Sequence, residues 1–141
     1  MMQVGFRPAF SFRVPENFRR LFTREEAEGM LDSIRPLVAR MVAARDRILS
    51  LRPALQPVMD RAQRNGGSRK AAELLTALEE IRASIEAVQT QGILVKDVNT
   101  GLLDFPSQRE DRVVFLCWQF LEEHVAFWHE QDTGFSGRKP L

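Results

Sequence analysis

GILVKDVNTGLLDFPSQREDRVVFLCWQFLEEHVAFWHEQDTGFSGRKPL, residues 92–141, is where the hydrophobic period of the chain changes from helical to alternating. It also holds both tryptophans, both histidines and the only cysteine. Ile93 to Asp97 and Leu102 to Phe105 flank Val98-Asn99-Thr100-Gly101, a hairpin turn in which Asp97 can accept from the turn amides and Gly101 can take a positive φ. Pro106 is expected to end that strand. Arg112 to Phe120 and Val125 to His129 read as a second hairpin around Leu121-Glu122-Glu123-His124. A four-residue loop there pairs Phe120 with Val125, Trp118 with Phe127, Leu116 with His129 and Cys117 with Trp128. Directly opposed residues share a face, so Cys117 and His129 fall on opposite faces. Both faces are too apolar to stay wet, which predicts a sheet covered twice, by helices on one side and by the leader, the tail or another subunit on the other.

Upstream the period is helical. Thr23-Arg24-Glu25-Glu26 is a capping box with Phe22 at the staple position. Ala27, Leu31, Ile34, Val38, Met41 and Ile48 then recur at spacings of three and four, with Arg45 in one slot. The pattern predicts a long helix from 23 to about 51, bent by Pro36, and a second helical piece to about 64. Asn65-Gly66-Gly67-Ser68 is a strong turn signal. A returning helix runs from about 69 to 91 on Leu74, Leu78, Ile81, Ile85 and Val88, with Gly92 as its left-handed cap. The fold class is therefore α+β: an antiparallel, coiled-coil-like helical hairpin packed with a four-stranded antiparallel β-meander. Arg35, Arg40, Arg45, Arg47, Arg52, Arg61 and Arg64 on the first arm face Glu73, Glu79, Glu80 and Glu86 on the second, mostly as a pairing device.

The domain reading is a Phe- and Arg-rich leader over 1–21 and a single domain over 22–141, with the helical hairpin at 22–91 and the meander and tail at 92–141. Phe6, Phe10, Phe12 and Phe18 are too apolar for a free tail, and Ala9 to Val14 alternates like a short strand. The leader reads as an arm lying on its own subunit or a partner. The competing reading is a basic nucleic-acid arm using Arg7, Arg13, Arg19 and Arg20. With 141 residues, 44% hydrophobic and a formal charge of +1, the chain suits one globular domain with no global field for nucleic acid or membrane. No apolar run approaches the ~20 residues of a bilayer span. One cysteine cannot form an internal disulfide, and a reducing cytoplasm fits best.

The sequence carries no P-loop, dinucleotide fingerprint, zinc motif or nucleophile elbow, so no catalytic residue is assigned, no cofactor is expected and an enzyme is not the favoured reading. Cys117, inside FLCW, reads as a small buried hydrophobe. Its placement opposite to His129 argues against joint metal ligation. Glu122, Glu123 and His124 sit in a hairpin loop and are most simply solvated. Asp104 could answer Arg112 or Arg138, or accept a ligand. Asp104, Glu122 and His129 are types that suit a divalent metal. The tail Gly134-Phe135-Ser136-Gly137-Arg138 could fold over such a site, or serve only as a structural clasp on the open sheet face.

From Phe22 to Leu141 the chain resembles the bacterial family known as domain of unknown function 2203. The residues that carry the likeness are FTREEA at 22–27, Arg35-Pro36-Leu37, Gly92, Val95-Lys96-Asp97, Thr100-Gly101-Leu102 and Asp104-Phe105-Pro106. They continue through Leu116-Cys117-Trp118, Glu122, Trp128-His129, Gly134-Phe135, Gly137-Arg138 and Pro140. The family usually has Gly-Glu after the Cys-Trp strand, and Leu121 stands where that glycine would be. The resemblance implies no activity. It does raise Asp104, Trp118, Glu122, His129 and Arg138 as candidate ligand-binding residues. Three functional readings follow. The leading one is a non-catalytic interaction module that pairs with itself as a homodimer, because a helix of roughly 28 residues spans about 42 Å and outruns a small sheet. The second is a small-molecule or divalent-metal site near Asp104, Glu122 and His129, with hydrolysis among its chemistries. The third is RNA binding through the leader and first helix.

Overall fold

The structure, a computed structural model, describes residues 17–54, 57 and 69–141. The expected strand at 9–14, the second helical piece beyond 57 and the Gly-Gly turn lie outside those residues. Helix α1 is Arg24–Leu51, followed by a 3-10 turn at Arg52–Ala54, and helix α2 is Arg69–Gln89. Five strands follow: β1 Leu94–Asp97, β2 Leu102–Arg109, β3 Arg112–Gln119, β4 Phe127–His129 and β5 Lys139–Pro140. They form one antiparallel sheet in the order β1-β2-β3-β4-β5. The α+β architecture is as expected, with a fifth strand added by the tail.

The capping box forms as the sequence predicts. The Glu26 amide donates to Thr23 Oγ1 at 3.0 Å, and the Thr23 amide donates to Glu26 Oε1 at 2.9 Å. The α1 stripe is buried through Ala27, Leu31, Ile34, Val38 and Met41, and then continues at Ala44. Helix α1 runs through Pro36 without ending.

On α2 the expected stripe is followed at Ile85 and Val88, with Leu74 and Ile81 half-buried, and it departs at Leu78. The fully buried positions are Ala77, Ser84 and Val88, while Leu78 is 47% exposed and Leu75 is 67% exposed. Helices α1 and α2 pack along one another with these small residues and Ala44 inward. Small side chains let helix axes approach, and larger leucines at that seam would hold them apart. Arg47 pairs with Glu80 between the two arms, whereas Arg82 pairs with Glu79 and Glu86 within α2.

The helices cover one face of the sheet. Phe22, Ala27, Leu31, Ile34, Val38, Met41 and Val88 join Leu103, Phe105, Val114, Leu116, Trp118, Val125 and Trp128 in one core. Asp97 Oδ1 accepts from the Asn99 amide at 2.8 Å and shapes the first turn. Gly101 there has φ 67°, and an added Cβ would fall 2.6 Å from Phe120 Cβ and 2.7 Å from Val38 Cγ1. Only glycine fits both the backbone and the space.

Two expectations about the sheet are corrected. Pro106 does not end β2, which continues to Arg109. The Pro106 carbonyl accepts from the Phe22 amide at 2.7 Å, beyond the end of β1, whose pairing stops at Leu94↔Asp104. The missing proline N–H therefore faces a sheet edge and removes no ladder bond. The second correction is the β3–β4 register. Phe115 pairs with His129, Leu116 with Trp128 and Cys117 with Phe127.

The loop between β3 and β4 is longer than four residues, running from Phe120 to Ala126. It turns through Leu121 at φ 85°, with the Glu122 amide donating to the Gln119 carbonyl at 3.0 Å. Glu28 of α1 then holds its far end, accepting from the Val125 amide at 2.8 Å and meeting His124 Nδ1 at 2.9 Å. A one-residue slip exchanges the faces of a strand. Here it turns Trp128 toward the helices and places His129 beside Cys117 rather than behind it.

Candidate metal centre

The second face of the sheet carries a buried polar group. Asp104 on β2 and Cys117 on β3 are direct cross-strand partners. His129 on β4 sits two residues beyond Phe127, the other partner of Cys117. All three face away from the helices, with exposures of 1%, 0% and 2%. Their ligand-capable atoms lie within 4.8 Å of one another. His129 Nε2 is 3.0 and 3.1 Å from the two Asp104 oxygens, and His129 Nδ1 is 2.7 Å from the Glu130 carbonyl.

The hydrogen-bond chemistry of this trio is restrictive. A carbonyl only accepts, so Nδ1 carries the proton. A neutral ring then presents its Nε2 lone pair to a carboxylate, which is also an acceptor. Two acceptors 3 Å apart need a cation between them. It is either a proton, giving an imidazolium–carboxylate or imidazole–carboxylic acid pair, or a metal ion.

Burial pushes the Asp104 carboxyl above its ordinary range, with the His129 charge and hydrogen bond pulling it back down. Burial also pushes the Cys117 thiol up to about 12, reinforced by the charge of Asp104 beside it. Burial thus favours the protonated thiol of Cys117 at neutral pH in the metal-free protein.

The remaining sequence candidates lie around this trio rather than in it. Glu122 is not simply solvated. Its Oε1 accepts from the Gln119 amide at 2.7 Å, and its carboxylate takes Arg138 Nη2 at 2.8 and 2.9 Å. Arg138 answers Glu122 rather than Asp104, and Arg112 answers Glu130 and Glu110. The Arg138 guanidinium stacks on Phe127 and Phe135 at 4.0 and 4.6 Å from the ring centroids. Its Nε is buried without a hydrogen-bond partner. Trp118 lies in the helix-facing core and donates from Nε1 to the Glu122 carbonyl at 3.0 Å, so it fixes the loop. Phe18, from the described end of the leader, packs edge-on against Phe115 at 5.8 Å on the polar face.

Sequence reasoning joined Asp104 to His129 but placed Glu122 where Cys117 stands. The usable signal was the pair of tryptophans. Sending both Trp118 and Trp128 to the helix-covered core forces Cys117 and His129 onto one face.

The sequence pattern of the family described as Uncharacterized conserved protein (DUF2203) matches residues 20–141. No curated protein and no solved structure matches the chain.

Proposed function

The chain belongs to the DUF2203 family, and we propose that it is a divalent-metal-binding protein whose ligands are Asp104, Cys117 and His129. The observation that carries this reading is the orientation of His129. Its Nδ1 is committed to the Glu130 carbonyl, so Nε2 is aimed at Asp104 inside a buried group that also contains a thiol. Metal-bound histidines commonly donate their other ring N–H to just such an acceptor, which fixes tautomer and ring plane.

Charge and size support it as well. Zinc bonds of about 2.0–2.3 Å imply ligand separations of roughly 3.3–3.8 Å in a tetrahedron. The observed separations, from 3.0 Å to at most 4.8 Å, bracket that range. A dication with one carboxylate and one thiolate is electrically neutral, which suits a site removed from water. A mixed sulfur, nitrogen and oxygen set favours zinc or cobalt over magnesium or calcium.

The test is a zinc titration of the purified chain in weak buffer. The expected result is one zinc per chain with release of about two protons, from the thiol and from the His129–Asp104 pair. Cys117→Ala and His129→Ala should each lose the binding while retaining the native circular dichroism spectrum. Native protein that takes up no zinc or cobalt, or binds equally well in both variants, contradicts the reading.

Self-association keeps one observation in its favour. The stripe from Ala27 to Met41 is covered by the chain's own α2 and sheet, but Leu75, Leu78 and Leu49 remain outward on the helical hairpin. Contact through those leucines would give a four-helix homodimer. Light scattering at micromolar concentration should then show twice the chain mass, and a monomer would rule it out.

A further inference from the structure

Two cations flank the trio, and neither is needed to hold a metal. Lys96 Nζ lies 5.1 Å from the centroid of Phe115, the cross-strand partner of His129. Arg138 stacks at 4.0 Å on Phe127, the cross-strand partner of Cys117. One positive group thus stands over each side of the polar floor. The Lys96 side chain forms no ion pair among the described residues and lies against the Phe115 ring, and Arg138 Nε is buried without an acceptor.

Resting on the metal reading above, we infer that the metal's remaining coordination position takes a small monoanionic oxygen ligand of the carboxylate class, held between Lys96 and Arg138. Three protein ligands leave one position of a four-coordinate zinc for an exogenous donor, the arrangement of open rather than structural sites. The charges set the class of that donor. The dication, Asp104 and the Cys117 thiolate cancel, as do Arg138 and Glu122, so Lys96 leaves one positive charge unbalanced. A single negative charge neutralises the assembly, and a carboxylate oxygen also supplies the acceptor that Arg138 Nε lacks. The floor is closed to solvent, with exposures of 0–2%, so a ligand must be small and must displace a covering side chain to enter. The exposed Lys96 side chain is the part able to swing aside for it.

The experiment uses the full chain loaded with cobalt, whose visible spectrum reports its coordination. Acetate is the probe and acetamide, of the same shape without the charge, is the control. The expected result is a saturable spectral change with acetate and none with acetamide. Lys96→Met should keep one cobalt per chain and bind acetate about tenfold more weakly, and Lys96→Arg should restore most of the affinity. A cobalt-loaded protein whose spectrum ignores acetate, answers acetamide equally, or is unaffected by Lys96→Met overturns the inference while leaving the metal reading in place. Failure to bind cobalt at all overturns both, and the metal count taken before the titration tells the two failures apart.

Discussion

The two faces of this sheet are buried to the same depth and built from opposite chemistry. On the helix side, Leu103, Phe105, Leu116, Trp118 and Trp128 close against α1 and α2 with no charged group among them. On the other side Asp104, Cys117 and His129 are equally inaccessible. Burying ionisable groups costs several kcal/mol that hydrogen bonds only partly offset. A face selected for stability alone would be apolar. The helix face supplies the apolar core, while the polar face buries ionisable groups whose burial costs stability, which is what the proposed metal site would account for.

The sharpest way to break this contrast is to truncate consecutive residues of β3 that point opposite ways. Trp118→Ala should destabilise by about 3–5 kcal/mol in denaturant titration, because a fully buried ring and its bond to the Glu122 carbonyl are lost together. Cys117→Ala, one residue away on the polar face, should cost only about 1–2 kcal/mol without metal. Adding zinc should stabilise the native chain and leave Cys117→Ala unchanged, so the gap between them widens by RT ln(1 + [Zn]/Kd). Equal losses for Trp118→Ala and Cys117→Ala in the absence of metal would show that both faces are ordinary core.

Much of the helix-side architecture was legible in the sequence, because it rests on local rules. The capping box at Thr23, the stripe from Ala27 to Met41 and the turn at Asn99-Thr100-Gly101 each depend on spacings within a few residues. The polar face depends on register, which is set by the loop between β3 and β4. Leu121 adopts a positive φ that favours glycine, and Glu28, nearly a hundred residues earlier, fastens the far end of that loop. Neither fact is local, and a slip of one residue separates a scattered set of polar residues from a trio. The same limit explains α2, where the tight approach of α1 selected Ala77 and Ser84 for the seam over the bulkier Leu78.

The loop that sets the register offers two smaller tests. Leu121→Gly should stabilise by about 0.5–1 kcal/mol, because the side chain is 84% exposed and its backbone is strained at φ 85°. A loss of similar size would mean that Leu121 makes a contact in solution that outweighs the strain.

Glu28 gives the smallest effect. Its carboxyl is held below the ordinary range chiefly by the hydrogen bond to His124 and next by the Val125 amide. A lowered carboxylate pKa contributes stability that is present above the unfolded value and lost as pH falls through the folded one. Glu28→Gln should therefore cost at most about 0.5 kcal/mol at pH 7 for so exposed a pair, and nothing well below pH 4. A difference that persists undiminished at low pH would place the cause outside this carboxylate.

The most direct test of the central claim is X-ray absorption at the metal edge of the zinc-loaded protein. The account predicts one sulfur at about 2.3 Å with nitrogen and oxygen donors at about 2.0–2.2 Å, and loss of the sulfur shell in Cys117→Ala. A first shell of nitrogen and oxygen alone, unchanged in Cys117→Ala, would place the metal elsewhere and leave the buried trio as a proton-sharing structural group.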